Sequence, residues 1–579
     1  PKRVYAYCKR NYQLFLWSCR ARIPHPLKPF IDNIVFSDMN LTEAQLRVSN
    51  LDHLGLIAGI IDKLLLVEEI DKLLPSERKV SHGIMLKALI LNAMGFSQQA
   101  LYLTPEFLSR CPLSHLLGSG YEATDFNDDS IGRCLESLYE YGVSKLFAQL
   151  SYKSCKIMGV ESEFVHVDST NFSLEGGYES ESGSESVKIT HGYSKNKRFD
   201  LKQVTLGLIT TYQSAIPRYM QNFDGNRSDK ETLSSMIKNY ISCFAAGEKA
   251  GIFICDSGVY SAENINEELK FADCITRVPE TIKQVQSLKK DTQSCDLKPF
   301  TSIEGYRYYA TTSNYGGVSQ RWLLVESEPL AQAVEKTYLE KSSTEQAIVR
   351  SKLEKKKGSI FKKEGELAEF VAQLVQKYAL VSIDYSQQEV AYYCKPGKPQ
   401  AQNLRMANQL VSFEVDFNRA AIAKIVEHKS RFVLATNLMQ TNDLSDQKIL
   451  EAYKSQATSV EKGFKFLKDP IFFAESFFVK KPQRIEALLM IMALSLLVYS
   501  LAERELQMQI KQHNQTIIGQ DNRATQKPTM RLIFNLFRGI HLLQQPTLSF
   551  TVCLNLNDNH KKIIRLLGKQ VAKYYFLIE

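Results

Sequence analysis

Between residues 40 and 154, apolar side chains recur at three- and four-residue steps. Leu51, Leu54, Ile57, Ile60, Ile61, Leu64 and Leu65 form one stripe, the period of helices packed on a core. Residues 80–94 repeat the pattern and stop at Gly95. This predicts a compact helical unit over 39–155. It suits either a helix-turn-helix that reads DNA ends or a packing and dimerisation module, and no recognition helix stands out. From residue 163 the period shortens. Strands are predicted at 164–168, 203–210, 216–220 and 252–255. A helix over 228–240 opens with the capping pair Ser228 and Glu231, and another covers 261–271. Residues 175–186 (EGGYESESGSES) read as an exposed loop.

Three strands, a helix, a strand and a helix make α/β the expected class, in the order of a ribonuclease-H-like core. Past residue 278 the regularity breaks. Paired strands are expected at 306–312 and 319–325 around Asn314-Tyr315-Gly316-Gly317. Residues 331–378 are polar and helix-compatible, with Lys352, Lys355, Lys356, Lys357, Lys362 and Lys363 either solvated or touching phosphates. Strands follow at 379–384 and 389–394, and the strand 431–437 returns the chain to the core. The division expected is a basic extension (1–38), a helical unit (39–155), a first core segment (156–277), a β-rich and helical insertion (278–429), a second core segment (430–510) and a C-terminal helical region (511–579). In the last, 530–543 reads as an amphipathic helix with Arg531 and Arg538, for dimer contacts or core packing. No fixed-period repeat occurs.

Composition changes this picture little. A net charge of +9 over 579 residues is compatible with nucleic acid without demonstrating it. Eleven cysteines with no C-x-x-C pair read as reduced cytosolic thiols, not as a zinc site. The apolar run 487–502 is short of the ~20 residues of a bilayer span and reads as a buried core helix, so no membrane is expected. The first residue is proline and the first methionine is Met39, so residues 1–38 read as a non-native extension or as the inside of a longer frame. They lack a signal-peptide pattern.

Three acids carry the candidate chemistry. Asp168 ends the apolar run Phe164-Val165-His166-Val167, and Asp256 ends Ile252-Phe253-Ile254-Cys255. Each is followed by serine, which also suits an Asx-turn. Glu461 lies in a helix-patterned stretch that closes with Lys468-Asp469-Pro470, where Lys454, Ala457, Glu461 and Lys468 fall on one stripe at 3.6 residues per turn. That stripe suits a metal ligand beside bound phosphates, or ordinary surface ion pairs. Hard divalent cations take such oxygen ligands, and a pair of them roughly 3.5–4 Å apart can clamp a phosphodiester. His166 shares the face of Asp168 and reads as packed or supporting; Asp229 reads as a helix-start acid or a further supporting acid.

The segments HVDSTNFSLEG (166–176), HGYSKNKRFDLKQ (191–203), GNRSDKETL (225–233), ICDSGVYSAENI (254–265) and YKSQATSVEKGFKFLKDP (453–470), with NLDHLGLIAGIIDKL at 50–64, carry a resemblance over residues 45–545. The chain resembles the DDE insertion-sequence transposases with a Y-R-E-K helix signature, specifically the insertion-sequence "sixteen thirty-four" group. The resemblance implies Asp168, Asp256 and Glu461 as catalytic and metal-binding residues on a ribonuclease-H-like fold, with two Mg²⁺ or Mn²⁺ ions. It implies double-stranded DNA, terminal repeats and target, as partner, a homodimer in the synaptic complex and a cytoplasmic, nucleoid-associated setting. The Glu-x6-Lys spacing is met by Glu461 and Lys468. The signature arginine is replaced by Ala457, and Lys454 stands at its tyrosine position, with Tyr453 one residue early. The arginine's bidentate grip is thus missing there, and a lysine point charge substitutes in part. Lys195, Lys197, Arg198 and Lys202 are expected to line the DNA channel. A metal-dependent nuclease on the same core and a silent DNA-binding derivative are the competing readings.

Overall fold

The computed structural model describes residues 47–96, 101–178, 186–193, 198–212, 214–244, 250–268, 272–394, 400–455, 460–469, 479–545 and 550–577. After a short strand, β1 (Arg47–Asn50), come helices α1 (Leu54–Lys63), α2 (Leu66–Leu73), α3 (His82–Met94), α4 (Thr104–Ser109), α5 (Leu113–Leu117), α6 (Asp128–Tyr141) and α7 (Val143–Ile157). Then follow β2 (Phe164–Leu174), β3 (Lys202–Thr211), β4 (Pro217–Phe223), α8 (Asp229–Ile241), β5 (Ile252–Cys255), α9 (Ala262–Glu268) and β6 (Cys274–Arg277). Ser228 caps α8 by accepting from the Glu231 amide, as its sequence requires.

Beyond α10 (Lys283–Asp291) and β7 (Lys298–Pro299), β8 (Tyr306–Tyr315) and β9 (Val318–Ser327) form a hairpin. Next are α11 (Glu328–Glu354), β10 (Ile360–Phe361), α12 (Glu366–Lys377), β11 (Val381–Tyr393), β12 (Leu404–Phe417) and α13 (Arg419–Ser430). The chain returns through β13 (Arg431–Thr436), α14 (Asp446–Lys454), α15 (Val460–Leu467) and α16 (Pro482–Gln512). It ends with β14 (Ile517–Ile518), β15 (Ala524–Thr525), α17 (Met530–Leu536), β16 (His541–Gln545), β17 (Phe550–Leu554), α18 (Asp558–Leu567) and α19 (Lys569–Ala572).

The class is mixed α/β. One large sheet runs β4-β3-β2-β5-β6-β13-β9-β8-β7. Its β2–β5 and β5–β6 pairs are parallel and the others antiparallel. Its two faces bury different sets. Val165, Val167, Ile209, Phe253 and Cys255 face Leu233, Met236 and Ile237 of α8. Gly207 permits that approach, because a Cβ there would lie 2.4 Å from the Met236 sulfur. On the other face Phe164, Ile252, Ile254 and Leu434 meet Ile449 and Leu450 of α14. Phe172, Leu206 and Leu208 there meet α15 and α16.

Several boundaries differ from those the sequence predicts. The β8–β9 hairpin extends the large sheet through β13 instead of belonging to an insertion. Only the part from α11 to α13 makes a separate core, around Val349, Leu353, Val371, Val381 and Val415. The 331–378 stretch is two helices separated by the short strand β10, and the two strands expected between 379 and 394 are one, β11. The expected helix 530–543 stops at Leu536, and its second half is β16. The first helices share one apolar cluster with α16 and with α17, α18 and α19, and β1 pairs with β16. The first and last described segments therefore lie in one core.

Helix α16 is the spine of that core. Residues 485–503 are all buried. It is the one helix among the described residues long and apolar enough to cross a membrane, yet its apolar window lies wholly inside the protein. Each buried leucine or isoleucine there contributes about 1.5–3 kcal/mol. Nine cysteines are described, and all are free thiols.

Candidate nucleic-acid interface and acidic site

Val167 stands in register with Cys255 on the parallel strands β2 and β5. The next residue on each is Asp168 and Asp256, and Asp256 keeps an extended backbone (φ −78°, ψ 169°). Alternation then places both carboxylates on the face of Phe164 and Ile254, where α14, α15 and α16 pack. The two sites are alike locally. Each carboxylate accepts from the amide of the serine that follows, 2.7 Å in both cases. Asp168 is not at a strand end, because β2 runs on to Leu174 beside β3. It is the point at which β5 stops supporting β2.

Helix α15 carries Glu461 in its first turn, exposed, and buries Phe464, Phe466 and Leu467. These meet Phe172, Leu206 and Leu208 on the same sheet face. The Lys468 ammonium ends the helix 6.0 Å from the Phe172 ring centre. On the solvent side Lys462 pairs with the buried Glu503 of α16, and Asp469 with Arg531 of α17 at 2.7 Å. These contacts fix α15 to the spine. The donor set of Asp168, Asp256 and Glu461, all carboxylates, is the kind that hard cations take. Its geometry does not fit as it stands. Among the described residues, no three His, Cys, Asp or Glu side chains form a group that could hold a metal ion.

The stripe expected from Lys454 to Lys468 is not on one helix. α14 ends at Lys454 and α15 begins at Val460, and Ala457 lies outside the described residues. The two aromatic partners there have separate roles. Lys454 is exposed and lies 3.9 Å from the Tyr306 ring centre. Tyr453 points into the sheet side, and burial first, then the nearby Asp256 carboxylate, raise its pKa. The nearby Arg277 guanidinium pulls the other way. Arg277 ends β6, caps the face of Phe432 at 5.3 Å and reaches Glu280 at 3.4 Å. Sequence reading missed Arg277, which ends a four-residue strand with no motif around it.

His166 is fully buried, and its Nε2 lies 2.9 Å from Ser455 Oγ, the residue that closes α14. Burial lowers its pKa to about 4. It is a neutral strut between β2 and the end of α14, which is the packed reading. Of the expected channel cations, Lys195 and Lys197 lie outside the described residues. Arg198 is exposed and paired with Asp200 at 2.9 Å. Lys202 donates to the Tyr178 carbonyl. It faces Leu174, six positions and roughly 20 Å along β2 from Asp168, so Lys202 does not crowd the acids. Asp229 is the first residue of α8.

The family described as "Domain of unknown function (DUF4277)" matches residues 46–152. No curated protein matches the chain. Among solved structures, the chain is similar to a piggyBac transposase in a cryo-EM synaptic complex with hairpin DNA. The TM-score is 0.36 at 10% identity, over 90% of this chain and 86% of that one. A likeness of that degree transfers neither fold nor chemistry to this chain.

Proposed function

We propose that this chain is an insertion-sequence DNA transposase of the DDE kind, on a ribonuclease-H-like core. The observation that supports it is the side-by-side placement of Asp168 and Asp256 on parallel strands, on the face where the Glu461 helix packs. The sequence segments shared with Y-R-E-K transposases fall on these same elements. Asp168, Asp256 and Glu461 would hold two divalent cations, Mg²⁺ or Mn²⁺, whose chemistry when bound is to activate a water or 3′-hydroxyl and to neutralise the leaving oxygen. Around them, Arg277 and Tyr453 offer a guanidinium and a phenol to a DNA phosphate. Lys454 and Lys468 offer point charges to the flanking backbone. The partners are double-stranded DNA and, in the synaptic complex, a second copy.

The test is excision from a donor plasmid that carries the DNA flanking this reading frame, followed by joining of a pre-cut end to plasmid DNA. Asp168→Asn, Asp256→Asn and Glu461→Gln should each abolish both steps while end binding persists. Cleavage without joining would replace the transposase by a nuclease. End binding without cleavage in Mg²⁺ or Mn²⁺ would leave a silent DNA-binding protein.

A further inference from the structure

The unit from α11 to α13 is built on a three-stranded sheet in the order β10-β12-β11. The outer edge of β11 has no strand beside it among the described residues. That edge is thirteen residues long (VSIDYSQQEVAYY) and contains neither proline nor lysine. Natural edges that must stay single usually carry such blocking residues or are short. Among the described residues, this one is open for pairing.

The two ends of β11 differ on one face. Val381, Ile383 and Tyr385 lie against the core made with α11 and α12. Farther along the same face the apolar side chains are bare. Tyr393 is 49% exposed, and its cross-strand neighbour Leu404 is 40% exposed. Met406, opposite Ala391, is 56% exposed. One end of the ribbon thus has helices and no free apolar surface, and the other has apolar surface and no helices.

We infer that a second copy of this chain pairs its β11 antiparallel to this one, about a two-fold axis at Gln387. Directly opposed residues in an antiparallel pair share a face. Val381 then faces the second copy's Tyr393, and Ile383 its Ala391. The bare end of each ribbon is carried beside the helix-covered end of the other, twice, by the same operation. Asp384 faces Val390 and Glu389 faces Tyr385, so no like charges meet. A self-complementary patch of this kind is what a closed two-fold dimer needs. Nothing in this pairing depends on the chemistry proposed above.

Gln387 is exposed and makes a clean probe. In the full chain with the exposed Cys243, Cys295 and Cys394 changed to serine, Gln387→Cys should form a disulfide-linked dimer on mild oxidation. Its two copies would lie about 4.5–5.5 Å apart at Cα, within disulfide reach. Asp384→Cys should not, because its two copies would lie roughly 20 Å apart. In the otherwise native chain, Gln387→Lys should bring the light-scattering mass down from twice 65.9 kDa to 65.9 kDa with an unchanged melting temperature. A native chain that is monomeric at tens of micromolar, a Gln387→Lys variant that stays dimeric, or cross-linking at Asp384→Cys in preference to Gln387→Cys would each overturn the inference.

Discussion

The Arg277 guanidinium and the Asp256 carboxylate both stand close to the phenol of Tyr453 and act on its ionisation in opposite directions. A short sheet strand and the helix before Glu461 are thereby joined at one of the two aspartates. Arg277 brings a guanidinium beside Tyr453 from another part of the chain.

If Arg277 grips a phosphate, Arg277→Ala should slow strand cleavage by about 10²-fold, the scale of losing one charge-stabilising donor. Arg277→Lys should recover only part, since an ammonium cannot make the forked contact. Combined with Tyr453→Phe, the loss should fall short of additive by about 0.5–3 kcal/mol, as for residues in contact. Single-turnover cleavage rates of the four proteins check this.

The unassembled acidic group predicts that cations alone bind poorly. Mg²⁺ without DNA should stabilise the fold by no more than a few tenths of a kcal/mol at millimolar concentration, the effect of a site at or below half saturation. With element-end DNA present, Mg²⁺ should add a larger melting shift, which Glu461→Gln removes. Scanning calorimetry with and without DNA separates the two cases.

Stability should depend on pH through two buried histidines. His53 stacks between Phe96 and Phe534 and, like His166, is held by burial at a pKa of about 4 against an ordinary 6.5. Between these values the unfolded chain binds the extra protons. The stability is therefore complete above pH 6.5 and lost as pH falls towards 4, by at most about 1.4 kcal/mol per pH unit for each group. His53→Gln should flatten the fall in melting temperature between pH 6.5 and 4.5.

Glu486 acts in the opposite sense. It is buried in α16, accepts from the Val187 amide at 3.0 Å, and desolvation raises its pKa to about 7. A raised acid favours the fold fully below its unfolded value of 4.5, and that advantage is lost as pH rises through 7. Glu486→Gln keeps the acceptor without the charge. It should raise the melting temperature at pH 8, by up to roughly 3 kcal/mol in stability, and leave it unchanged at pH 4.5.

Helix α1 meets α19 across Gly59, where a Cβ would lie 2.5 Å from the Val571 Cα. Gly59→Ala should cost about 1–3 kcal/mol by overpacking, more than the gain in helix propensity returns. Urea unfolding checks this. A null effect would mean that the two ends are less tightly joined than their shared core implies.

The sequence made some of this legible and hid the rest for identifiable reasons. Apolar runs at residues 164–167 and 252–255 mark β2 and β5, because buried strands advertise themselves through Val, Ile and Phe. The continuation of β2 through Ser169, Thr170 and Asn171 does not, since those polar residues are held by pairing with β3. The break after α11 is set by Gly358 and Gly365, with φ of 75° and 77°, in a stretch whose composition stays helical. Gly539, at φ 84°, turns the chain before β16 and ends the amphipathic pattern that seemed to run to residue 543. β12 mixes polar and apolar residues without a clear period, so its pairing with β11 shows only in three dimensions. Arg277 and Tyr453 share no motif and are brought together by the sheet.

The pairing of β1 with β16, at opposite extremes of the polypeptide, sets the timing of maturation. A ribosome releases the first helices long before it makes the segment that must lie beside them, and loops of that span close slowly. For most of translation the apolar stripe led by Leu51, Leu54 and Ile57 has no permanent cover. Shortened forms that end before residue 541 therefore leave part of that stripe open to chaperones and proteases.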